Sequence, residues 1–97
     1  MTETGGDNAE LRLKRLKFRS WHRGFKEADL VLGHFADRYL EALDADGLDA
    51  YERLLEEPDQ DIFDWVVGRR EPPPQHDTHV MARLRELRHL AGTLWKR

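Results

Sequence analysis

The sequence predicts an all-α fold, a compact bundle of about five short helices. Apolar residues recur every three or four positions along most of the chain, which is the spacing of one face of a helix. No segment alternates polar and apolar residues in the way that a half-buried strand would. Charged residues make up 36% and hydrophobic residues 39% of the 97 residues, which suits well-solvated helices around one modest core.

The chain is expected to form one domain after a short tail. Residues 1–8 are polar and contain glycines, and we expect them to be disordered. Residues 9–97 then form a single helical domain with a radius of gyration of roughly 13 Å. The first helix is predicted over residues 9–22. Asp7 or Asn8 is its expected cap, because a short polar side chain can accept hydrogen bonds from the free amides of a first turn.

The second helix carries the clearest apolar stripe and is expected to be the centre of the core. It is predicted over residues 25–43. Residues 44–49, which include Gly47, indicate a turn and a cap before a third helix. The stripe comprises Ala28, Val31, Leu32, Phe35, Tyr39 and Leu43, and the third helix contributes Leu48, Tyr51, Leu54 and Leu55.

Two further helices are predicted on either side of a proline-rich connector. Asp59 is expected to cap a short fourth helix after Pro58, since proline lacks an amide donor and suits a helix boundary. Gly68 ends this helix, and the prolines at 72–74 form an extended connector. A final helix is predicted over residues 78–94. The apolar positions of these two helices are Ile62, Phe63, Trp65 and Val66, then Met81, Leu84, Leu87, Ala91 and Leu94.

Composition excludes several classes of function. The absence of cysteine excludes disulfides, thiolate metal sites and thiol catalysis. No apolar run approaches the ~18 residues of a transmembrane helix, and no glycine-rich phosphate loop is present. The first residues lack the apolar region of a secretory signal, so a bacterial cytoplasm is the expected compartment. We predict a binding protein and not an enzyme, with no catalytic residue, bound metal or stably bound cofactor.

Two polar clusters are expected to have no catalytic role. His76 and His79 flank Asp77, but a zinc site needs three or four convergent ligands. We therefore expect an exposed polar loop there, with Thr78 or Asp77 capping the last helix. The second cluster is an acidic run that we expect to be a solvated face, and it comprises Glu52, Glu56, Glu57, Asp59, Asp61 and Asp64.

A basic stretch with interleaved aromatic residues spans residues 12–23. Lysines and arginines on one helix can bind phosphates, so an alternative function is a small nucleic-acid-binding or antitoxin-like regulator. The formal net charge of −3 argues against this function, and no helix-turn-helix or zinc-finger motif accompanies the stretch. An acidic protein partner would explain the basic helix equally well.

The junction Arg23-Gly24-Phe25-Lys26-Glu27 separates the first two predicted helices. Arg23 and Glu27 are four residues apart, so one interpretation is an ion pair worth about 0.3 kcal/mol. Gly24 would then be a helix stop in the left-handed conformation that glycine adopts readily. The other interpretation is a docking surface.

Two blocks of the sequence resemble the succinate dehydrogenase assembly factor 2 family, also called the FAD assembly factor SdhE family. Residues 19–37, RSWHRGFKEADLVLGHFAD, contain the Arg-Gly-x-x-Glu motif of that family. Residues 51–65, YERLLEEPDQDIFDW, resemble its second recurring stretch. The order and spacing of the blocks also match, and the resemblance covers roughly residues 11–68 together with a last helix.

The resemblance implies a five-helix protein that binds the flavoprotein subunit of succinate dehydrogenase, and in some bacteria that of fumarate reductase. Members promote covalent attachment of FAD to a histidine of that subunit, so FAD ends on the partner. By this resemblance Arg23, Gly24 and Glu27 form the docking surface. Many members carry a second basic residue before the motif arginine, where this chain has His22. Neither nucleic-acid binding nor membrane insertion is expected.

Overall fold

The computed structural model describes residues 5–88, with side chains from residue 9 onward. This part of the chain is helical and contains no strand, so the prediction of an all-α fold is confirmed. No helix in residues 5–88 has both the length and the apolar composition needed to cross a bilayer. The helices are α1 (Gly5–Trp21), α2 (Lys26–Tyr39), α3 (Ala45–Leu55), α4 (Asp59–Val67) and α5 (His79–Glu86), with 3₁₀ turns at Leu40–Ala42 and Pro74–His76.

The start of α1 differs from the prediction. The helix begins at Gly5, so Asp7 and Asn8 lie inside it and their predicted role as caps is wrong. Residues 1–4 and 89–97 lie outside the described residues. The disorder of the tail and the domain division therefore stay predictions.

The link between α2 and α3 is tighter than predicted. α2 ends at Tyr39, and a 3₁₀ turn follows. The Asp44 carboxylate then accepts a hydrogen bond from the Gly47 amide at 2.8 Å, which caps α3 at its first turn. Gly47 consequently lies inside α3 and is buried, where the sequence predicted a turn.

The last helix is shorter than predicted. The Thr78 hydroxyl accepts from two amides of the first turn of α5, which confirms Thr78 as its cap. The helix ends at Glu86. The predicted positions Ala91 and Leu94 lie outside the described residues.

The core is formed around α2, as predicted. Ala28, Val31, Leu32 and Phe35 are buried, and α2 packs against both α1 and α5. α3, α4 and α5 supply the rest of the apolar interior. The buried core cluster comprises Leu16, Val31, Leu32, Phe35, Ala36, Leu40, Ala50, Tyr51, Leu54, Leu55, Ile62, Phe63, Trp65, Val66, Val80, Met81, Leu84 and Leu87.

A buried pair of hydroxyl groups joins α1, α2 and α3. The Ser20 hydroxyl donates to the Leu16 carbonyl oxygen at 2.7 Å and lies 2.5 Å from the Tyr51 hydroxyl. The Tyr51 hydroxyl also reaches the Leu32 carbonyl oxygen at 3.3 Å. Burial raises the pKa of the Tyr51 phenol, so it stays neutral and acts as a donor. Hydrogen bonding within the pair avoids the cost of burying unsatisfied polar groups.

His76 corrects the prediction of an exposed loop after the prolines. Its ring is buried and stacks on Trp65, with the ring centroids 5.5 Å apart. Its Nε2 atom lies 2.7 Å from a Glu57 carboxylate oxygen. The proline-rich connector thus returns the chain over α4. The predicted end of α4 at Gly68 is confirmed, and Gly68 has a left-handed conformation with φ 90°. His79 is exposed, as predicted.

The contact between α1 and α2 depends on Gly33. A Cβ atom at this position would lie 2.2 Å from the nearest atom of the Trp21 ring, which is far inside van der Waals contact. Trp21 also donates from Nε1 to an Asp37 carboxylate oxygen at 3.3 Å and packs edge-on against His34. The missing side chain of Gly33 therefore lets the Trp21 ring lie directly on the α2 backbone.

Gly33→Ala is expected to lower the free energy of unfolding by about 1–3 kcal/mol, because the added methyl group overlaps the Trp21 ring. In a Trp21→Ala background the same change should be neutral or stabilising by up to about 1 kcal/mol, since alanine favours a helix over glycine. Urea unfolding of the four proteins measures both effects. An equal loss in both backgrounds would show that the Trp21 ring is not the cause.

Candidate docking site at the first helix junction

The segment between α1 and α2 makes a sharp change of direction that its own polar groups stabilise. The Arg23 amide donates to an Asp29 carboxylate oxygen at 2.6 Å. Phe25 is extended, with φ −154° and ψ 159°, and its ring packs edge-on against Phe63 with centroids 5.2 Å apart. The junction is therefore anchored to α2 by a hydrogen bond and to α4 by an aromatic contact.

The Arg23 side chain points into the protein and is only 10% exposed. Its guanidinium contacts one Asp59 carboxylate oxygen through Nε at 2.7 Å and Nη2 at 2.6 Å. It also donates to the Leu55 and Arg19 carbonyl oxygens, at 3.1 and 3.3 Å. The ion pair that the sequence suggested between Arg23 and Glu27 is absent from the described residues. Arg23 instead joins the end of α1 to the start of α4.

Gly24 contacts the other oxygen of the same carboxylate. Its amide donates to Asp59 Oδ2 at 2.5 Å, and a Cβ atom on Gly24 would lie 2.8 Å from that oxygen. Positive φ occurs at Gly68 among the described glycines and not at Gly24, so the predicted left-handed helix stop is wrong. Glycine is favoured here because the Asp59 carboxylate approaches too closely for a Cβ atom. The absence of a side chain also leaves the backbone of Gly24 exposed.

Asp59 is the residue of this site whose role the sequence interpretation missed. The prediction made it the cap of α4, but Pro58 occupies the cap position and Asp59 is the first residue of the helix. Its carboxylate lies near the free amides of a helix N-terminus, where negative charge is favourable, and binds Arg23 and Gly24 with its two oxygens. The available signal in the sequence was a carboxylate directly after a proline. No feature of the neighbouring sequence linked Asp59 to the junction between α1 and α2.

Glu27 lies one turn beyond Gly24, in the first turn of α2. It is half-buried, and its carboxylate makes no hydrogen bond or ion pair with any residue in the described range 5–88. Gly24 itself is exposed. The structure therefore brings the predicted site residues Arg23, Gly24 and Glu27 to one junction. Two of them remain available to a partner, and Arg23 is engaged inside the chain.

Most cations of the basic stretch are paired within the protein. Arg12 lies 2.8 Å from both an Asp49 and a Glu52 carboxylate oxygen, and these hydrogen bonds raise the pKa of its guanidinium. The same holds for further residues of this stretch, which connect α1 to the turn after α2, to α3 and to α4. The pairs are Lys17 with Glu41 at 3.3 Å, Arg19 with Glu56 at 3.2 Å, and Arg23 with Asp59.

The acidic run is correspondingly not a free solvated face, which corrects the prediction. Besides the pairs with α1, Glu57 contacts His76 and Asp61 contacts Arg70 at 2.6 Å. A hydrogen bond from Gln60, supported by Arg69 and Arg70, lowers the pKa of Asp64. Each of these carboxylates has a partner on the protein. Within residues 5–88, no group of three or more possible ligands is placed to hold a metal ion.

Asp59→Asn is expected to lower the free energy of unfolding by about 1–3 kcal/mol, because it leaves the largely buried Arg23 guanidinium without a charged partner. Asp61→Asn is the matched control. Its partner Arg70 is 50% exposed, so water replaces the lost contact and the change should be within about 0.5 kcal/mol. Urea unfolding of both variants measures the difference. Equal losses would contradict the special position of Asp59.

The same part of the chain is similar to known proteins. A family model described as flavinator of succinate dehydrogenase matches residues 14–88. That range contains the junction, α2 to α5 and every partner of Arg23 described above. The match therefore includes both the proposed contact residues and the internal contacts that hold them.

Curated relatives come from bacteria and eukaryotes. The FAD assembly factor SdhE of Acetobacter pasteurianus is 38% identical over 80 residues, covering 82% of this chain and 73% of that protein. Succinate dehydrogenase assembly factor 2, mitochondrial, of Debaryomyces hansenii is 39% identical over 72 residues, covering 74% and 51%. The protein of the same name in Drosophila grimshawi is 37% identical over 85 residues, covering 86% and 56%. The chain thus spans about half the length of these eukaryotic relatives. It belongs to the family of flavinators of succinate dehydrogenase.

Proposed function

We propose that this chain is an assembly factor that binds the flavoprotein subunit of succinate dehydrogenase and promotes covalent attachment of FAD to that subunit. One observation carries the proposal: the family match over residues 14–88 contains a junction where Gly24 is exposed and the Glu27 carboxylate lacks a partner in residues 5–88. The corresponding subunit of fumarate reductase is the second candidate client. For the compartment we propose the bacterial cytoplasm, after the bacterial relative.

The proposed contact uses groups of different kinds. Gly24 has no side chain, so a backbone segment of the partner can approach the junction closely. Glu27 accepts hydrogen bonds from partner donors, and such charge-assisted bonds are stronger than neutral ones. Arg23 acts as a positioning residue, because its guanidinium is held by Asp59 and two carbonyl oxygens inside the protein.

Binding alone suffices for the proposed activity. A protein that binds one conformation of its partner more tightly than the others raises the population of that conformation. We propose that the favoured conformation aligns the flavin with the acceptor histidine. That histidine and the FAD belong to the flavoprotein, so this chain supplies no catalytic group and holds no cofactor stably.

A nucleic-acid-binding regulator remains the alternative from another class. It would act through the basic face of α1. That face has less free charge than the sequence suggests, because Arg12, Lys17, Arg19 and Arg23 are paired with carboxylates of the same chain. Phosphate binding would have to displace these contacts. The flavoprotein is therefore the favoured partner.

Glu27→Ala is expected to weaken binding to the flavoprotein subunit roughly 10- to 100-fold, since it removes a charged acceptor worth about 1.5–3 kcal/mol. It should also lower the covalent flavin in that subunit, read as flavin fluorescence on a denaturing gel. The fold should be unaffected, because Glu27 has no partner within the described residues. Glu71→Ala removes an exposed carboxylate outside the junction and serves as the control. Normal affinity and flavin content with Glu27→Ala would contradict the proposed contact.

A further inference from the structure

The outer face of α1 carries an apolar surface that residues 9–88 leave uncovered. Leu11 and Phe18 are the large hydrophobic side chains that stay exposed among the described residues, at 46% and 63%. They are seven residues apart, so they share one side of the helix. We define the outer α1 face as Leu11, Lys14, Arg15 and Phe18, together with His22, which directly follows the helix. At 1.5 Å per residue the helical part from Leu11 to Phe18 is about 10 Å long.

Phe18 is held in place although it is exposed. Its ring stacks on the His22 ring, with centroids 4.0 Å apart and an angle of 20° between the planes. His22 Nδ1 lies 2.8 Å from the Phe18 carbonyl oxygen. Because a carbonyl oxygen only accepts, Nδ1 is the donor. An aromatic side chain that is already ordered loses less entropy when a partner binds it, and such side chains are typical anchors of interfaces.

The charges of this face differ from those of the inner side of α1. Lys14 and Arg15 are exposed and form no hydrogen bond or ion pair with the residues that the structure describes, whereas Arg12, Lys17 and Arg19 are each paired. Two free cations beside an exposed phenyl ring are complementary to an apolar depression bordered by carboxylates.

The outer α1 face also leads directly into the junction. His22 is its last residue and the next residues are Arg23 and the exposed Gly24. We propose that the outer α1 face is a second contact with the flavoprotein subunit, in which Phe18 enters an apolar depression and Lys14 and Arg15 face acidic residues around it. This inference rests on the proposed function and extends its site from the junction along α1.

Two other occupants are less well matched. Two cations without a partner in the described part of the chain, on a protein with a net charge of −3, give weak phosphate attraction compared with proteins that neutralise many phosphates. A second copy of this chain would form a two-fold contact that places the same patch against itself. Lys14 and Arg15 would then face the like charges of the other copy.

The test is a titration of the flavoprotein subunit, prepared without covalent flavin, against full-length variants. Phe18→Ala should weaken binding about 10-fold or more, as expected for an interface anchor. The double variant Lys14→Glu, Arg15→Glu should weaken it by a similar factor at low salt, and the loss should shrink as salt increases. Arg53→Glu reverses an exposed charge on α3 and should bind like the unchanged protein. Circular dichroism should be unchanged in all three, since these side chains are exposed.

The outcomes separate this inference from the proposed function. If the unchanged protein binds and Glu27→Ala weakens binding, but Phe18→Ala and the double charge reversal bind normally, the second contact is refuted while the function stands. If the unchanged protein does not bind the flavoprotein, both are refuted. A gel shift of nucleic acid that depends on Lys14 and Arg15, without an effect on the flavoprotein, would also overturn the second contact. So would a dimer that Phe18→Ala converts to a monomer.

Discussion

The contact on which the junction depends is the one between Arg23 and Asp59. It joins the end of α1 to the start of α4, which are 36 residues apart in sequence. One carboxylate oxygen binds the guanidinium and the other binds the Gly24 amide. A pair in which both charges are hydrogen-bonded and one is largely buried is costly to break on one side. This carboxylate therefore holds the exposed Gly24 backbone, which lies one turn before Glu27, a residue whose carboxylate has no partner within residues 5–88.

This arrangement changes how the Arg-Gly-x-x-Glu motif is understood in this chain. The resemblance to the family implies that all three residues form one docking surface. Because the side chain of Arg23 is only 10% exposed, we propose that Arg23 contributes through the shape of the junction. Gly24 and Glu27 remain as the groups that a partner can reach. Phe18 and His22 extend the accessible surface along α1, so the proposed interface has a rigid backbone corner and an aromatic anchor.

The helices and the core could be predicted from the sequence because apolar periodicity is a local property of the chain. The contacts of α2 are an example, since its buried side chains follow that spacing. Other features depend on tertiary packing and have no local signal: the role of Asp59, the burial of His76 against Trp65, and the fit of Trp21 on Gly33. The pairing of the acidic run with the basic run was missed for the same reason. Each run, considered alone, has the composition of a solvent-exposed face.

The most direct test of this organisation is a structure of the protein bound to a flavoprotein subunit that lacks covalent flavin. We expect the Arg23 guanidinium to remain on Asp59, as it is in the free protein. Partner atoms should lie within about 4 Å of Gly24, and a partner donor should bind the Glu27 carboxylate. A complex in which Arg23 leaves Asp59 and binds a partner carboxylate would contradict the positioning role and restore the arginine as a direct contact.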